Sequence, residues 1–227
     1  PSAQDSYSPV AELAKTRLAG KETRWLQSDK ERQDLRQIMN AKLSQPLTID
    51  DAVQIALLNN RGLQAQYAQL GIAVSDLQAV SRLPDITLSL AHLREGDSLA
   101  VDRAISFDLL SLLTRPAARR LEQQNLEHVR LSVMMEMLNL ATATRRAWIE
   151  VVAAKELEAS AKQTNQAAQV ARDVVERLMQ VGNLSRLDLL REQALYADTQ
   201  AELAQAQQHV ILRQAQLTAL LGLWGED

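Results

Sequence analysis

The sequence predicts a mainly α-helical protein in which long antiparallel coiled-coil helices accompany one short β-hairpin. Glycine and proline are scarce, with 7 and 5 copies in 227 residues, and only 3% of the residues are aromatic. This composition is typical of long helices. Residues 117–181 contain neither glycine nor proline, which favours one uninterrupted helix. Between Pro84 and Pro116 apolar and polar residues alternate instead, as they do in strands.

The first 46 residues are predicted to form an N-terminal arm with two short helices. The first helix begins at Ser8-Pro9, a cap residue followed by proline, and stops at Gly20. The second opens at Ser28, with Glu31 at the spacing of a capping box. Its predicted apolar face consists of Leu35, Ile38 and Met39.

Residues 47–227 are predicted to be one helical repeat that opens with a helix over 48–83. Thr48 and Asp51 have the spacing of a helix cap, and Pro84 ends the helix because proline disfavours helix in the residue before it. Apolar residues recur along it with a period near 3.6, which predicts one buried face. They are Val53, Ala56, Leu57, Leu63, Tyr67, Leu70, Val74 and Leu77.

Residues 85–110 are predicted to form a β-hairpin. Two runs of alternating apolar and polar residues are joined by a Gly-Asp turn. Each run has about ten residues, the length of a tilted strand in a membrane barrel. In such a barrel one face of the hairpin would contact lipid and the other would face the lumen. The predicted lipid-facing residues are Ile86, Leu88, Leu90, Ile105 and Phe107.

A long helix over 116–181, a turn at 181–185 and a returning helix over 186–221 complete the chain. Gly182 suits the left-handed residue that ends a helix, and Ser185 with Asp188 caps the next one. The connection is so short that the helices must form an antiparallel hairpin. Their predicted contact stripes step by three and four: Leu157, Ala161, Thr164, Ala168, Ala171, Val175 and Leu178 meet Leu187, Leu190, Ala194, Ala197, Ala201, Ala204, Ile211 and Ala215.

The composition argues against several classes of function. The 25 basic and 28 acidic residues leave no basic excess for a nucleic-acid surface. The absence of cysteine excludes thiolate metal sites and a cysteine nucleophile. No apolar run approaches the ~18 residues of a transmembrane helix. No signal peptide opens the chain, so Pro1 is expected to be a mature or trimmed start.

Neither a catalytic nor a metal site is predicted, and no cofactor. The acidic pair Asp50-Asp51 lies where a helix dipole stabilises negative charge, so a capping role is favoured over acid–base chemistry. Thioethers bind Cu(I), but neighbouring methionines on a helix point in different directions, so Met134, Met135 and Met137 favour packing. Three histidines on different elements do not converge on a metal: His92, His128 and His209.

Two segments resemble the TolC family of outer-membrane efflux proteins. Residues 47–90 begin with Leu-Thr and an acidic pair, continue through Asn-Asn, and reach Leu-Pro before a strand, in the order of a TolC-type repeat. Residues 181–223 resemble the family's periplasmic turn and returning helix, ending in Leu-Leu-Gly-Leu. Family protomers usually carry two such repeats and this chain carries one, so it would be a fragment or a half-length member.

The resemblance implies a duct subunit in the outer membrane with a large periplasmic part, not an enzyme. Three two-repeat protomers would close a twelve-stranded barrel and a helical periplasmic tunnel that exports small molecules or metal ions. A periplasmic adaptor protein would connect the duct to an inner-membrane transporter. The resemblance places adaptor docking at the turn, on Val181, Gly182, Asn183, Leu184, Ser185 and Asp188.

Two alternatives remain at this point. A periplasmic adaptor also has a long helical hairpin, but β-rich halves flank it on both sides, whereas the flank here is helical. A structural coiled-coil protein without a channel would not need the alternating segment at 85–110.

Overall fold

The computed structural model describes residues 3–18, 20–82, 87–95, 98–106 and 109–223, with side-chain surroundings for 7–18, 20–82 and 113–223. Within these residues the chain forms six helices and two strands. In chain order they are α1 (Ala3–Arg17), α2 (Asp29–Leu43), α3 (Ile49–Asn59), α4 (Arg61–Ser81), β1 (Thr87–Glu95), β2 (Ser98–Ser106), α5 (Leu109–Gln180) and α6 (Arg186–Leu221). The predicted fold class, mainly α with one β-hairpin, is confirmed.

The chain divides into two compact units. The first unit comprises Pro1–Gly20 and Gly62–Glu136, and the second comprises Lys21–Arg61 and Met137–Asp227. The β-hairpin therefore belongs to the first unit, and the α5–α6 turn belongs to the second.

An apolar core joins α1, α4 and the N-terminal part of α5 in the first unit. The rings of Tyr7 and Tyr67 meet edge to face with centroids 5.0 Å apart, a favoured aromatic geometry. Arg115 of α5 donates hydrogen bonds to the carbonyls of Val80 and Ser81, which the end of α4 leaves without helical donors. The buried apolar residues include Val10, Ala14, Leu18, Leu63, Leu70, Val74, Leu126 and Val133.

The two strands form an antiparallel hairpin whose register runs from Thr87 opposite Ser106 to Glu95 opposite Ser98. Leu88 lies opposite Ile105. The predicted end of the hairpin at residue 110 is wrong, because α5 begins at Leu109. Of the predicted lipid-facing set, Ile86 and Phe107 lie outside the described residues, and the orientation of the set stays a prediction.

Helix caps and ion pairs organise the start of the second unit. Ser28 and Glu31 form the predicted capping box of α2. The Thr48 hydroxyl accepts a hydrogen bond from the Asp51 backbone N–H at 3.1 Å. Lys42 of α2 pairs with Asp51, and the Nζ atom of Lys21 lies 2.9 Å from the Asp50 carboxylate. Both acidic residues therefore serve the start of α3, as predicted.

Three predicted helix boundaries are wrong. The helix expected over 48–83 is interrupted at Asn60, whose backbone is extended (φ −62°, ψ 120°). α1 begins at Ala3 and contains Pro9, because buried Tyr7, Val10 and Ala14 continue one face across the proline. α5 begins at Leu109 and contains Pro116. Proline removes one hydrogen bond from a helix, which a packed helix can tolerate.

The predicted face of the helix at 48–83 is otherwise correct. Its apolar residues are buried as far as Val74, and Leu77 is half-buried. On α2 the face is correct at Leu35 and Met39, but Ile38 is 47% exposed. Only one side of α2 is covered by a neighbouring helix, so an apolar residue at the edge of that side stays in solvent.

The contact between α5 and α6 follows a seam of buried and half-buried residues that steps by three and four, as in a coiled coil. On α6 the seam consists of Leu189, Glu192, Tyr196, Thr199, Leu203, Ala206, Val210, Arg213, Leu217 and Leu220. On α5 it includes Val151, Ala154, Ala161, Asn165, Ala168, Arg172, Val175 and Met179.

The predicted α6 stripe is therefore wrong. It runs two positions before the seam, about 200° around the helix at roughly 100° per residue, and all its residues are exposed. The prediction took the more apolar of the two stripes as the contact face. The true seam is less apolar because it contains Glu192, Thr199 and Arg213. On α5 the predicted stripe shares Ala161, Ala168 and Val175 with the seam, but Ala171 is half-buried beside it, Thr164 is exposed, and Leu157 and Leu178 are 67% and 38% exposed. The predicted α6 residues are called the outer stripe below.

Candidate docking site at the helical turn

The turn between α5 and α6 ends one helix with a Schellman motif. The Gly182 N–H donates to the Met179 carbonyl and the Asn183 N–H donates to the Leu178 carbonyl, both at 2.9 Å. Gly182 has φ +81°, and a Cβ there would meet nothing within 4 Å. Glycine is therefore required by the left-handed backbone and not by crowding.

A capping box begins the returning helix. The Ser185 hydroxyl accepts from the Asp188 N–H at 3.3 Å, and the Asp188 carboxylate accepts from the Ser185 N–H at 3.1 Å. Hydrogen bonds from the Ser185 side chain and backbone hold the pKa of Asp188 below its usual value. The turn is thus fixed on both sides by local chemistry.

Apolar side chains are exposed on both sides of this turn. Val181 is 69% exposed and Leu187 is 55% exposed. Leu184 is half-buried, and Leu189 is the first residue of α6 that is buried. Leu187 does not fold back to close the hairpin, so the turn has a partly apolar surface framed by the polar groups of Asn183 and Ser185.

The opposite end of α6 is held by a junction that sequence reasoning missed. The Asn59 amide donates to the carbonyls of Leu221 and Gly222 at 3.0 and 2.9 Å, and the Asn60 amide donates to the Leu220 carbonyl at 3.0 Å. Carbonyls at a helix C-terminus lack helical donors, so the two amides replace them.

Gly222 completes this junction by allowing close approach. Its φ is +72°, and a Cβ would lie 2.6 Å from the Asn59 carbonyl oxygen and 3.1 Å from the Asn60 Cα. Two successive asparagines inside an apolar-periodic helix are a weak but usable signal for this break, because asparagine favours turns and caps over helix interiors.

The other sequence candidates do not converge. His128 and His209 are exposed on separate stretches of helix, and the side chain of His92 lies outside the described surroundings. Met137 is buried, Met134 is half-buried and Met135 is 55% exposed. Among the residues that the structure describes, no group of three acidic, histidine or cysteine side chains could hold a metal ion.

The fold is similar to those of solved membrane proteins. A membrane protein from Pseudomonas aeruginosa superimposes with a TM-score of 0.67 at 17% identity, covering 77% of this chain and 44% of that one. CusC, described for its transmembrane channel formation, gives 0.63 at 19% identity, covering 78% and 44%. The Campylobacter jejuni outer membrane channel CmeC gives 0.58 at 18% identity, covering 76% and 40%.

No model of a protein family matches the sequence, and no curated protein matches it. The chain spans less than half of each solved protein named above. None of the described helices combines the length and apolarity needed to cross a membrane. The comparisons show a fold shared with these membrane proteins over about three quarters of this chain.

Proposed function

We propose that this chain, which has a TolC-like fold, forms part of the wall of an outer-membrane duct that exports small molecules or metal ions from the periplasm to the exterior. The observation that carries the proposal is the likeness of about three quarters of the chain to CusC, described for its transmembrane channel formation, and to the outer membrane channel CmeC. Transport through a water-filled lumen requires no catalytic group, in keeping with a function other than catalysis.

The surface of α6 supports assembly with further helices of the same kind. Leu187, Leu190 and Ile211 of the outer stripe are 55%, 51% and 66% exposed. Between them lie alanines that allow close helix approach: Ala194, Ala197, Ala201 and Ala204. A stripe of exposed apolar residues along one helix face is typical of an interaction surface. A neighbouring helical hairpin in a trimer of two-repeat protomers would cover it.

The β-hairpin supports the same conclusion. Two strands alone leave both sheet edges without partners, and only a closed barrel satisfies them in a membrane. One hairpin from each of six repeats would supply the twelve strands of such a barrel. The chain therefore needs neighbours at the hairpin as well as along α6.

The α5–α6 turn is the proposed docking surface for a periplasmic adaptor, through which an inner-membrane transporter would be reached. Val181 and Leu184 supply apolar contact, while Asn183 and Ser185 supply hydrogen-bonding groups. A compact turn with fixed backbone docks at little entropic cost, and the Gly182 motif and the Asp188 cap provide that rigidity.

Reconstitution tests the proposal. The complete gene product, purified and inserted into planar bilayers, should give discrete conductance steps. A matched variant that lacks residues 87–106 retains the described helices but loses the hairpin, and it should not conduct. Absence of conductance from correctly inserted protein, or equal conductance from the deletion variant, would contradict a duct.

A further inference from the structure

The helical hairpin of α5 and α6 is held differently in its two halves. Near the base, α3 packs on α6 and apolar residues such as Val151, Val210 and Leu217 are buried. Towards the turn, beyond Thr199 on α6, only Leu189 has a buried side chain, and on α5 only Ala168 is buried beyond Asn165. The half that ends in the turn, residues 166–198, therefore has little apolar core.

A buried hydrogen bond stands at the boundary between these halves. The Asn165 amide donates to the Thr199 hydroxyl at 3.1 Å, and that hydroxyl donates to the Tyr196 carbonyl at 2.9 Å. Asn165 and Thr199 are 9% and 5% exposed. A polar side chain in a coiled-coil seam favours one pairing of the helices over others, because any other pairing leaves the amide without a partner.

A second polar contact lies one heptad closer to the turn. The Arg172 guanidinium carbon sits 4.5 Å from the centre of the Tyr196 ring, a cation–π geometry. Asp173 accepts hydrogen bonds from Nε and Nη2 of Arg172, which holds the guanidinium over the ring. Gln200 donates to the Tyr196 hydroxyl at 2.9 Å.

We infer that this polar cluster, defined as Asn165, Arg172, Tyr196 and Thr199, is a latch that keeps the turn half of the hairpin closed independently of its base. The turn half opens locally when the latch is broken, while the base stays packed on α3. The latch thereby controls how often the two helices separate next to the α5–α6 turn. Segments with few buried apolar contacts open locally in this manner.

Two buried positions at similar distances from the latch can report on it. Leu189 lies ten residues from Thr199 towards the turn, and Val210 lies eleven residues from it towards the base. They are 9% and 8% exposed. Because the chain has no cysteine, Leu189→Cys and Val210→Cys can each be labelled with a maleimide as the sole thiol.

Thr199→Val breaks the buried hydrogen bond of the latch at nearly constant side-chain volume, because it leaves the Asn165 amide without its acceptor and an unpaired buried amide is costly. The maleimide labelling rate of Leu189→Cys should rise several-fold in that background, whereas Val210→Cys should keep its rate and the circular dichroism spectrum should not change. Thr164→Val, which removes an exposed threonine hydroxyl next to the latch, should alter neither rate.

Two results would overturn the inference. An unchanged rate at Leu189→Cys would mean that apolar packing alone closes the turn half. Equal acceleration at both cysteines, or loss of helicity, would mean that the cluster stabilises the whole hairpin. Arg172→Gln, which removes the guanidinium from the Tyr196 ring, is the second test: selective acceleration at Leu189→Cys supports the latch, and any other pattern rejects it.

Discussion

Two glycines, one before and one after α6, adopt backbone conformations that other residues adopt only at a cost in stability. Gly182 and Gly222 both adopt left-handed φ values and both end helices. They differ in their surroundings, since only Gly222 lies against another backbone segment, at Asn59 and Asn60. The side-chain amides of those asparagines bind the last carbonyls of α6. The same residues therefore help to end α6 and also separate α3 from α4.

The two glycines provide a matched pair of substitutions. Gly182→Ala should destabilise the chain by about 1–2 kcal/mol, the cost of a left-handed residue with a Cβ. Gly222→Ala should cost clearly more, because its Cβ would lie 2.6 Å from the Asn59 carbonyl oxygen and the backbone must move. Urea unfolding of both variants measures the difference. An equal decrease in the free energy of unfolding for both variants would show that the backbone at Asn59 and Asn60 moves aside without cost.

Leu184 is the residue that distinguishes docking from simple hairpin closure. Leu184→Asp should leave the helical content and the thermal midpoint nearly unchanged, since the side chain is only half-buried, while abolishing adaptor binding to the complete protein. Leu189→Asp is the control: it places a carboxylate at a buried position and should lower the midpoint by several degrees. If Leu184→Asp lowers the midpoint as much, or adaptor binding survives it, Leu184 has no docking role.

At the scale of elements, capping residues fix where α2, α3 and α6 begin. Capping boxes begin α2 and α6, and Thr48 caps α3. Hydrogen bonds from the Gln27 and Ser28 backbones lower the pKa of Glu31, a hydrogen bond from Lys42 lowers the pKa of Asp51, and those from Ser185 lower the pKa of Asp188. Each cap is therefore strongest when its carboxylate is ionised.

Acidification should weaken all three helix starts. Because the folded chain holds these pKa values below the ordinary 4.5 of glutamate and 3.8 of aspartate, the stabilisation is complete above those values and is lost as the pH falls through the lowered ones. The thermal midpoint should stay level from about pH 7 to 5 and then fall. Asp188→Asn should shrink that fall, and a midpoint that rises below pH 4.5 would contradict the assignment.

The β-hairpin gives a prediction that depends on which face meets lipid. Leu88→Arg should reduce recovery of the complete protein in the outer membrane, with a cost of about 2–4 kcal/mol if the residue lies near the bilayer midplane. Ser89→Arg, one position along the same strand, should be tolerated because successive residues face opposite sides of a sheet. Membrane fractionation measures both variants, and equal recovery would argue against this orientation.

At the scale of the molecule, the described chain exposes surfaces that further repeats would cover. The outer stripe of α6 and the edges of a two-stranded sheet both lack partners among the described residues. In the proposed duct, neighbouring hairpins would cover these surfaces. Assembly is thus the condition for function under the proposed duct.

The chain alone should therefore not form a stable membrane channel. One hairpin per chain falls short of the six that a twelve-stranded barrel needs, and unpaired strand edges are costly in a membrane. Planar-bilayer recordings of the purified 227-residue chain should show no discrete conductance steps. Steps from this chain would contradict the prediction unless cross-linking shows that six copies have assembled.

The sequence by itself determined the order of elements, the turn and the caps. These features follow local rules that need no contact with a distant segment. A glycine marks a left-handed helix end, a serine followed three residues later by an acidic residue marks a helix start, and the period of apolar residues distinguishes a strand from a helix. Accordingly Gly182, Ser185 and Asp188 occupy their predicted roles. The buried faces of α3 and α4 were also predictable, because the apolar residues of each helix recur with a period near 3.6.

Only the tertiary structure decided which side of α6 meets α5 and where the helix at 48–83 breaks. Apolar periodicity pointed to the outer stripe, yet the seam carries Tyr196, Thr199 and Arg213, which pair with residues of α5. The break at Asn60 arises because its amide binds a carbonyl 160 residues away. Contacts between distant segments outweigh local preference in both places, and a single sequence records no such pairing.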